Sequence, residues 1–265
     1  MAIQPHNEKA AATWGSGGAD YDKISECIAD SIEHLLNRLD VQPGERALDL
    51  ATGTGWTARR LAQKGAKVTG VDIGEGVIEA AKRLARQANL DIDFAVGDAE
   101  GTDLPSGAFD VIASTCGVMF ASRPEAVAKE LARLCRRGGR IGLTTWPPTS
   151  TLAQMFQMMR PYMPPPPNPA PPSPFEWGRP ERVSELLGGE FDLRFETGTT
   201  VLRMPTGEYV WKVFSEGYGP TKVLNQNTDR KDELRRDFIA FHDAHRTEAG
   251  IAMPRDYLVV VGTRR

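Results

Sequence analysis

The sequence predicts an α/β protein built on a doubly wound, mostly parallel sheet, and three observations carry that prediction. Apolar runs of strand length recur at 47–50, 67–72 and 91–96, in a run ending near Thr115, and at 140–146. Segments with a 3.6-residue apolar period separate them, as βαβ units require. The first strand runs into a glycine-rich turn and then a helix, in ALDLATGTGWTA at 47–58.

Residues 24–39 open the series with Ile24, Ile28, Ile32, Leu35, Leu36 and Leu39 at helical spacing, and Pro43-Gly44 turns the chain into the first strand. After Asp72, the set Val77, Ile78, Ala81, Leu84, Ala85 and Ala88 repeats the period between the second and third strands. The segment 122–139 reads as a helix with a Ser122–Glu125 capping box, Pro124 in its first turn and Gly138-Gly139 at its end. RIGLTTW supplies the fifth strand, a further strand is expected near 191–203, and DYLVVVGTRR closes the chain as a strand.

The seam at 47–58 suits a nucleotide-like ligand, because glycines admit close backbone approach and the following helix presents unpaired amides. Asp49 stands four residues before Gly53 and six before Gly55. A carboxylate there repels a pyrophosphate but suits a ligand carrying an ammonium group. GTGWTA also satisfies the loose dinucleotide pattern, so the loop alone leaves a nicotinamide site open. The strand of VTGVDIGEG ends in Asp72, nineteen residues after Gly53, where a carboxylate grips two ribose hydroxyls. FAVGDAEGTDLPSGAFDVIAST adds an acidic turn at Asp98 and a strand ending near Thr115. Taken singly, Asp98 is also a turn-forming aspartate and Thr115 a strand-end hydroxyl.

These three segments in order resemble the class I S-adenosylmethionine-dependent methyltransferases, in particular the bacterial group related to the ubiquinone and menaquinone C-methyltransferases (methyltransferase type 11-like). The resemblance covers residues 10–146 well. It implies a Rossmann-like seven-stranded sheet whose last strand is antiparallel, with cap elements inserted after the fifth strand and near the sheet's end. It implies S-adenosyl-L-methionine as cofactor, with S-adenosyl-L-homocysteine as product. Asp49, Ala51, Gly53 and Gly55 would then line the methionine portion, Asp72 the ribose, and Ile73 the adenine. Asp98 would bind the adenine amino group beside the backbone of Ala99, and Thr115 would lie near the sulfonium. The Tyr21-Asp22 pair matches a segment that closes over the cofactor in related enzymes. Trp14 is expected against substrate or lid, and Val118 or Met119 in the acceptor pocket.

The chain of 265 residues is expected to fold as one structural domain in three stretches. These are a cofactor-binding core with its N-terminal helix at 1–146, an insertion at 147–180, and the rest of the core at 181–265 with a second cap at about 205–252. Twelve of the nineteen prolines fall in 147–180, interleaved with Met155, Met158, Met159, Tyr162 and Met163. Proline at this density disfavours regular helix and central strand. The methionines and aromatics favour a lid over an apolar ligand, although Met155–Met163 also fits a short amphipathic helix docked on the core. Tyr162 and Trp211 are the cap's candidates for the acceptor pocket. In the helix expected at 229–246, His242 and His245 are candidate bases, against the plainer reading of structural histidines.

With 32 basic and 35 acidic residues the net charge is −3 and no basic run stands out, so nucleic acid is not the expected partner. The N-terminus lacks an apolar signal region and no stretch reaches membrane-spanning length, so the expected location is cytoplasmic. Cys27, Cys116 and Cys135 are too scattered for a disulfide framework or metal cluster, with Cys27 and Cys135 expected in helices. No self-complementary patch identifies an oligomeric state. The favoured activity is methyl transfer to oxygen or nitrogen of a small, amphipathic or aromatic metabolite. Quinone-type C-methylation, an NAD(P)-dependent oxidoreductase and a non-catalytic S-adenosylmethionine-binding protein are the alternatives.

Overall fold

Ala47, Leu48, Asp49 and Leu50 are all fully shielded from solvent, as a strand is only where both faces of its sheet are covered. The computed structural model describes residues 2–166 and 170–265 and places this strand centrally. Strands β1 (Arg46–Leu50), β2 (Lys67–Asp72), β3 (Ile92–Val96), β4 (Phe109–Thr115) and β5 (Cys135–Thr145) are parallel. The chain then adds β6 (Phe191–Met204), the two-residue β7 (Arg246–Thr247) and β8 (Gly250–Arg264). The order is β3-β2-β1-β4-β5-β8-β6, with β8 antiparallel to both neighbours and β7 paired to β8. Strand order reverses between β1 and β4, so a crevice opens at the carboxyl ends of these two strands.

The helices are α1 (Glu8–Gly15), α2 (Tyr21–Glu26), α3 (Ala29–Leu39), α4 (Trp56–Gln63), α5 (Glu75–Gln87), α6 (Pro124–Leu134), α7 (Thr151–Met159), α8 (Pro180–Leu187), α9 (Gly207–Gly217), α10 (Gly219–Asn227) and α11 (Lys231–Asp243). Helix α3 lies so close to β5 that a Cβ on Gly142 would meet Leu35 and Leu39 at 2.8 Å. The alternate residues Ile141 and Leu143 are buried on the opposite face. None of the helices among the described residues is long and apolar enough to cross a membrane.

Several expectations are corrected by long-range contacts. The helix expected over 24–39 is two helices, broken at Cys27 and Ile28, with Ile28 in a non-helical conformation. The capping box is absent. Arg123 stands at the N-cap, while Ser122 donates to Asn7 and Glu100, and Glu125 pairs with Arg182. Helix α6 ends at Leu134, so Cys135 belongs to β5 rather than to a helix. The closing strand begins at Gly250, six residues earlier than DYLVVVGTRR indicates. In the 147–180 stretch, residues 167–169 lie outside the described residues. Met155 and Met159 do not form a loose lid: they are buried in α7, which packs against α11 and β8.

Candidate active site

After β1 the chain adopts three left-handed conformations in five residues, Ala51, Gly53 and Gly55. Glycine takes such conformations without strain, whereas alanine does so only when its surroundings enforce it. A Cβ on Gly117 would lie 2.5 Å from that of Ala51, so this loop and the turn after β4 press together. Cys116, in that second turn, also has positive φ. Two strained non-glycine residues therefore flank the crevice, as functional sites often show.

The crevice opens into a cavity with about 1020 Å³ of free space, part of it open to solvent. Ten of the residues singled out by sequence line it: Trp14, Tyr21, Ala51, Gly53, Asp72, Ile73, Asp98, Ala99, Thr115 and Val118. The carboxylate of Asp72 bridges the glycine loop and the next strand's turn, accepting from Gly53 N at 2.8 Å and Gly74 N at 2.9 Å. Burial raises its pKa and these N–H donors pull it back. Asp98 accepts from Glu100 N, Gln4 N and Asn7 Nδ2, at 3.0, 3.1 and 2.9 Å. Thr115 shares a 2.8 Å hydroxyl contact with Thr57.

Asp49 lies beneath the loop and is not exposed to the cavity. Its Oδ2 accepts from Thr52 Oγ1 at 2.6 Å and Ala58 N at 2.9 Å, while Oδ1 is buried with no partner among the described residues. Burial pushes its pKa up to about 7 against the pull of those two donors, and Asp72 adds to the rise. Gly55 is also behind the cavity, where a Cβ would meet Phe94 at 2.8 Å. Two partly compensated acids thus underlie one end of the site, an arrangement that favours a cationic neighbour.

The cavity's roof is the N-terminal segment. Tyr21 lies over Gly53, where a Cβ would come within 3.2 Å of its ring. Asp22 accepts from Thr54 Oγ1 at 2.8 Å and Arg59 Nη2 at 3.0 Å, which ties α2 to the loop. Trp14 packs on Phe120 and Tyr218 with ring centroids 4.9 and 5.7 Å away. Asn7, Trp56 and Phe120 line the cavity without having been singled out, as do Ile24, Ile28 and Ile32, which the sequence marks only as a helix's apolar stripe. A polar residue in the tail and apolar residues on a helix look ordinary until the chain folds back.

The remaining candidates lie elsewhere. Met119 is buried outside the cavity lining. Tyr162 donates to Asp237 and carries Arg230 over its ring, and Trp211 packs on Phe238 at 5.4 Å. His242 is fully buried in α11. Its Nδ1–H donates to Phe238 O at 2.8 Å, since a carbonyl only accepts, and burial pushes its pKa down to about 4. His245 stands half-buried beside Phe241, outside the cavity lining. Neither histidine lines the crevice: the apolar face of α11 that carries His242 packs onto α9 and α7, and His245 lies beyond the end of that helix.

Residues 48–143 match the family described as a methyltransferase domain. An uncharacterized protein of Mycobacterium tuberculosis is 35% identical over 248 residues, covering 92% of this chain and 86% of that protein. A malonyl-[acyl-carrier protein] O-methyltransferase of Serratia marcescens is 31% identical over 140 residues, or 53% of each chain. The YcgJ protein of Bacillus subtilis has the same fold, with a TM-score of 0.61, 17% identity and coverage of 89% of this chain and 99% of that one. The glycine loop, the acid-ended second strand and the sheet order agree with these matches, and the chain belongs to the class I S-adenosylmethionine-dependent methyltransferases.

Proposed function

We propose that this enzyme transfers a methyl group to an oxygen or nitrogen atom of a small, amphipathic or aromatic metabolite held beside the cofactor in the described cavity. The reading is carried by one observation: Asp72, Ile73, Asp98, Ala99 and Thr115, spread over 44 positions of sequence, converge on a single space that continues into an aromatic and isoleucine-lined chamber. Asp72 has lone pairs left for the two ribose hydroxyls. Asp98 has already accepted three N–H donors, so about one of a carboxylate's four acceptor sites remains for the adenine amine. Ile73 and Ala99 flank the base, and Tyr21 closes over the methionine portion.

When bound, S-adenosylmethionine supplies a methyl group already activated by its sulfonium charge. The chain's own task is to align the acceptor and keep water out. Among the described residues that line the cavity, the titratable side chains are Tyr21, Asp72, Asp98 and Cys116. Burial raises the Tyr21 pKa, with Asp72 adding to it, and pushes Cys116 up to about 12. Both stay protonated at neutral pH, and the two carboxylates are engaged with amides. Among the described residues no histidine lines the cavity. This supports an acceptor that needs no general base, an anionic oxygen or an uncharged amine.

A calorimetric titration tests the cofactor site: S-adenosylhomocysteine is expected to bind and NAD is not. Transfer of labelled methyl to a panel of phenols, acids and amines then tests the acceptor class. Transfer only to carbon acids would reject the oxygen-or-nitrogen reading.

A further inference from the structure

We infer that the methyl acceptor carries a carboxylate, and that Arg255 is the residue that recognises it. This rests on the proposed cofactor site and names the chemistry of the molecule beside it.

Along β8 the inward positions are Ile251, Met253, Arg255 and Tyr257, all buried, while Pro254 and Asp256 face out. A guanidinium thus occupies a position where the strand's alternation calls for an apolar side chain. Arg255 is 2% exposed, and its Nε and Nη2 have no hydrogen-bond partner among the described residues. It forms no ion pair with a described carboxylate. Its electrostatic neighbours are Cys27, Tyr218, Cys116 and His242, whose buried Nε2 also has no partner among the described residues, and its guanidinium lies 5.5 Å from the centre of the Phe214 ring. Buried arginines are ordinarily paired, because a desolvated charge without a partner is strongly unfavourable.

The residue's place in the sheet connects it with the site. β5 ends at Thr145, paired with Leu258, so Arg255 lies three residues beyond the carboxyl end of β5, on the rim where the cavity opens. Cys116 lines the cavity, and Tyr218 stacks on Tyr21, which also lines it, with centroids 6.5 Å apart. Arg255 itself stands behind the lining, and its neighbours Cys116, in the lining, and Tyr218, behind Tyr21, connect it with the chamber. Among the described residues that line the cavity there is no lysine or arginine. One cation matches one negative charge, which favours a carboxylate over a phosphate dianion. Ile24, Ile28 and Phe120 suit an apolar body behind it.

The test uses the full chain saturated with S-adenosylhomocysteine. Benzoate, phenylacetate and octanoate are titrated against their neutral amides, with binding read by calorimetry and by thermal shift. At least one acid is expected to bind tenfold or more tighter than its amide. R255Q is expected to abolish that preference, and R255K to retain part of it. R255M keeps an apolar stem on Phe214 and serves in place of R255Q should the latter not fold. If no acid outbinds its amide in the native chain, or if the preference survives in a folded R255Q or R255M, the assignment of Arg255 is overturned. Failure of the native chain to bind S-adenosylhomocysteine would instead reject the cofactor site on which the inference rests.

Discussion

Asp72→Ala separates recognition of the cofactor's ribose from mere support of the loop. The native carboxylate holds the amides of Gly53 and Gly74 at 2.8 and 2.9 Å and presents its remaining lone pairs to the cavity. Removing it leaves two amides without their acceptor but also removes a carboxyl group whose charge is disfavoured by burial. These opposed effects leave an expected loss of about 1–3 kcal/mol in stability. At roughly 2–4 °C per kcal/mol for a chain of this size, melting falls by several degrees. Affinity for S-adenosylhomocysteine falls by a further ~1–3 kcal/mol, or roughly 5- to 150-fold, through the unpaired hydroxyls. Loosening of the loop alone also weakens binding, so the decisive comparison is adenosine against 2′,3′-dideoxyadenosine, measured by calorimetry in both proteins. The native chain should prefer adenosine by about the same 1–3 kcal/mol, and the variant should show no preference. An undiminished preference in Asp72→Ala would refute the placement of the ribose on this carboxylate.

Asp49 makes stability depend on pH. Its folded pKa of about 7 lies above the ordinary carboxylate value, so the folded state holds the proton more tightly and loses stability as pH rises through roughly 4 to 7. Asp49→Asn should remove this loss, gaining about 2–3 kcal/mol relative to the native chain between pH 5 and pH 8 in urea denaturation. A constant difference across that range would reject a buried, proton-holding Asp49. Asn7→Ala deletes the amide that reaches both Asp98 and Ser122. It should cost about 1–3 kcal/mol in stability and speed the release of S-adenosylhomocysteine followed by intrinsic tryptophan fluorescence. Unchanged release would mean that the N-terminal segment is not the roof through which ligand passes. Cys116, pushed up to about 12 by burial, should resist iodoacetamide at pH 8 in the native protein and react on unfolding. Labelling at the rate of a free thiol, read by mass spectrometry, would contradict its enclosure.

What was legible in the sequence is what short-range geometry determines. The Asp72 position follows from a strand ending beside a glycine turn, and Asp98 and Thr115 follow from strand ends in register with it, so these side chains meet once the parallel sheet forms. The roof was less legible, because Asn7 reaches Asp98 across 91 residues and nothing near Asn7 announces the contact. The capping box failed for the same reason: Ser122 and Glu125 have the right types and spacing, but distant partners claim both. Whether His242 would line the cavity was not legible, because helical periodicity shows that a residue is buried without showing against what. Arg255 escaped notice because Pro254 interrupts the apparent strand, although the alternation Ile251, Met253, Arg255, Tyr257 is present once β8 is extended back to Gly250.

The charges around the cavity are sorted by sign, and this bears on how two different molecules share one opening. Asp72 stands buried at the glycine loop with the proton-holding Asp49 beneath it, Asp98 stands buried in the turn after β3, and Arg255 stands buried beyond Cys116 and Tyr218. An ion taken out of water gains most from an opposite charge in its own low-dielectric surroundings and is penalised by a like charge there. A cation is therefore drawn to the loop and repelled by Arg255, while a carboxylate meets the reverse. A cationic cofactor and an anionic acceptor entering the same crevice would settle at opposite ends, with their reacting groups between them near Thr115. Selectivity for each partner then comes from rejection of the other at its end, and alignment for transfer follows from where the chain has buried its charges.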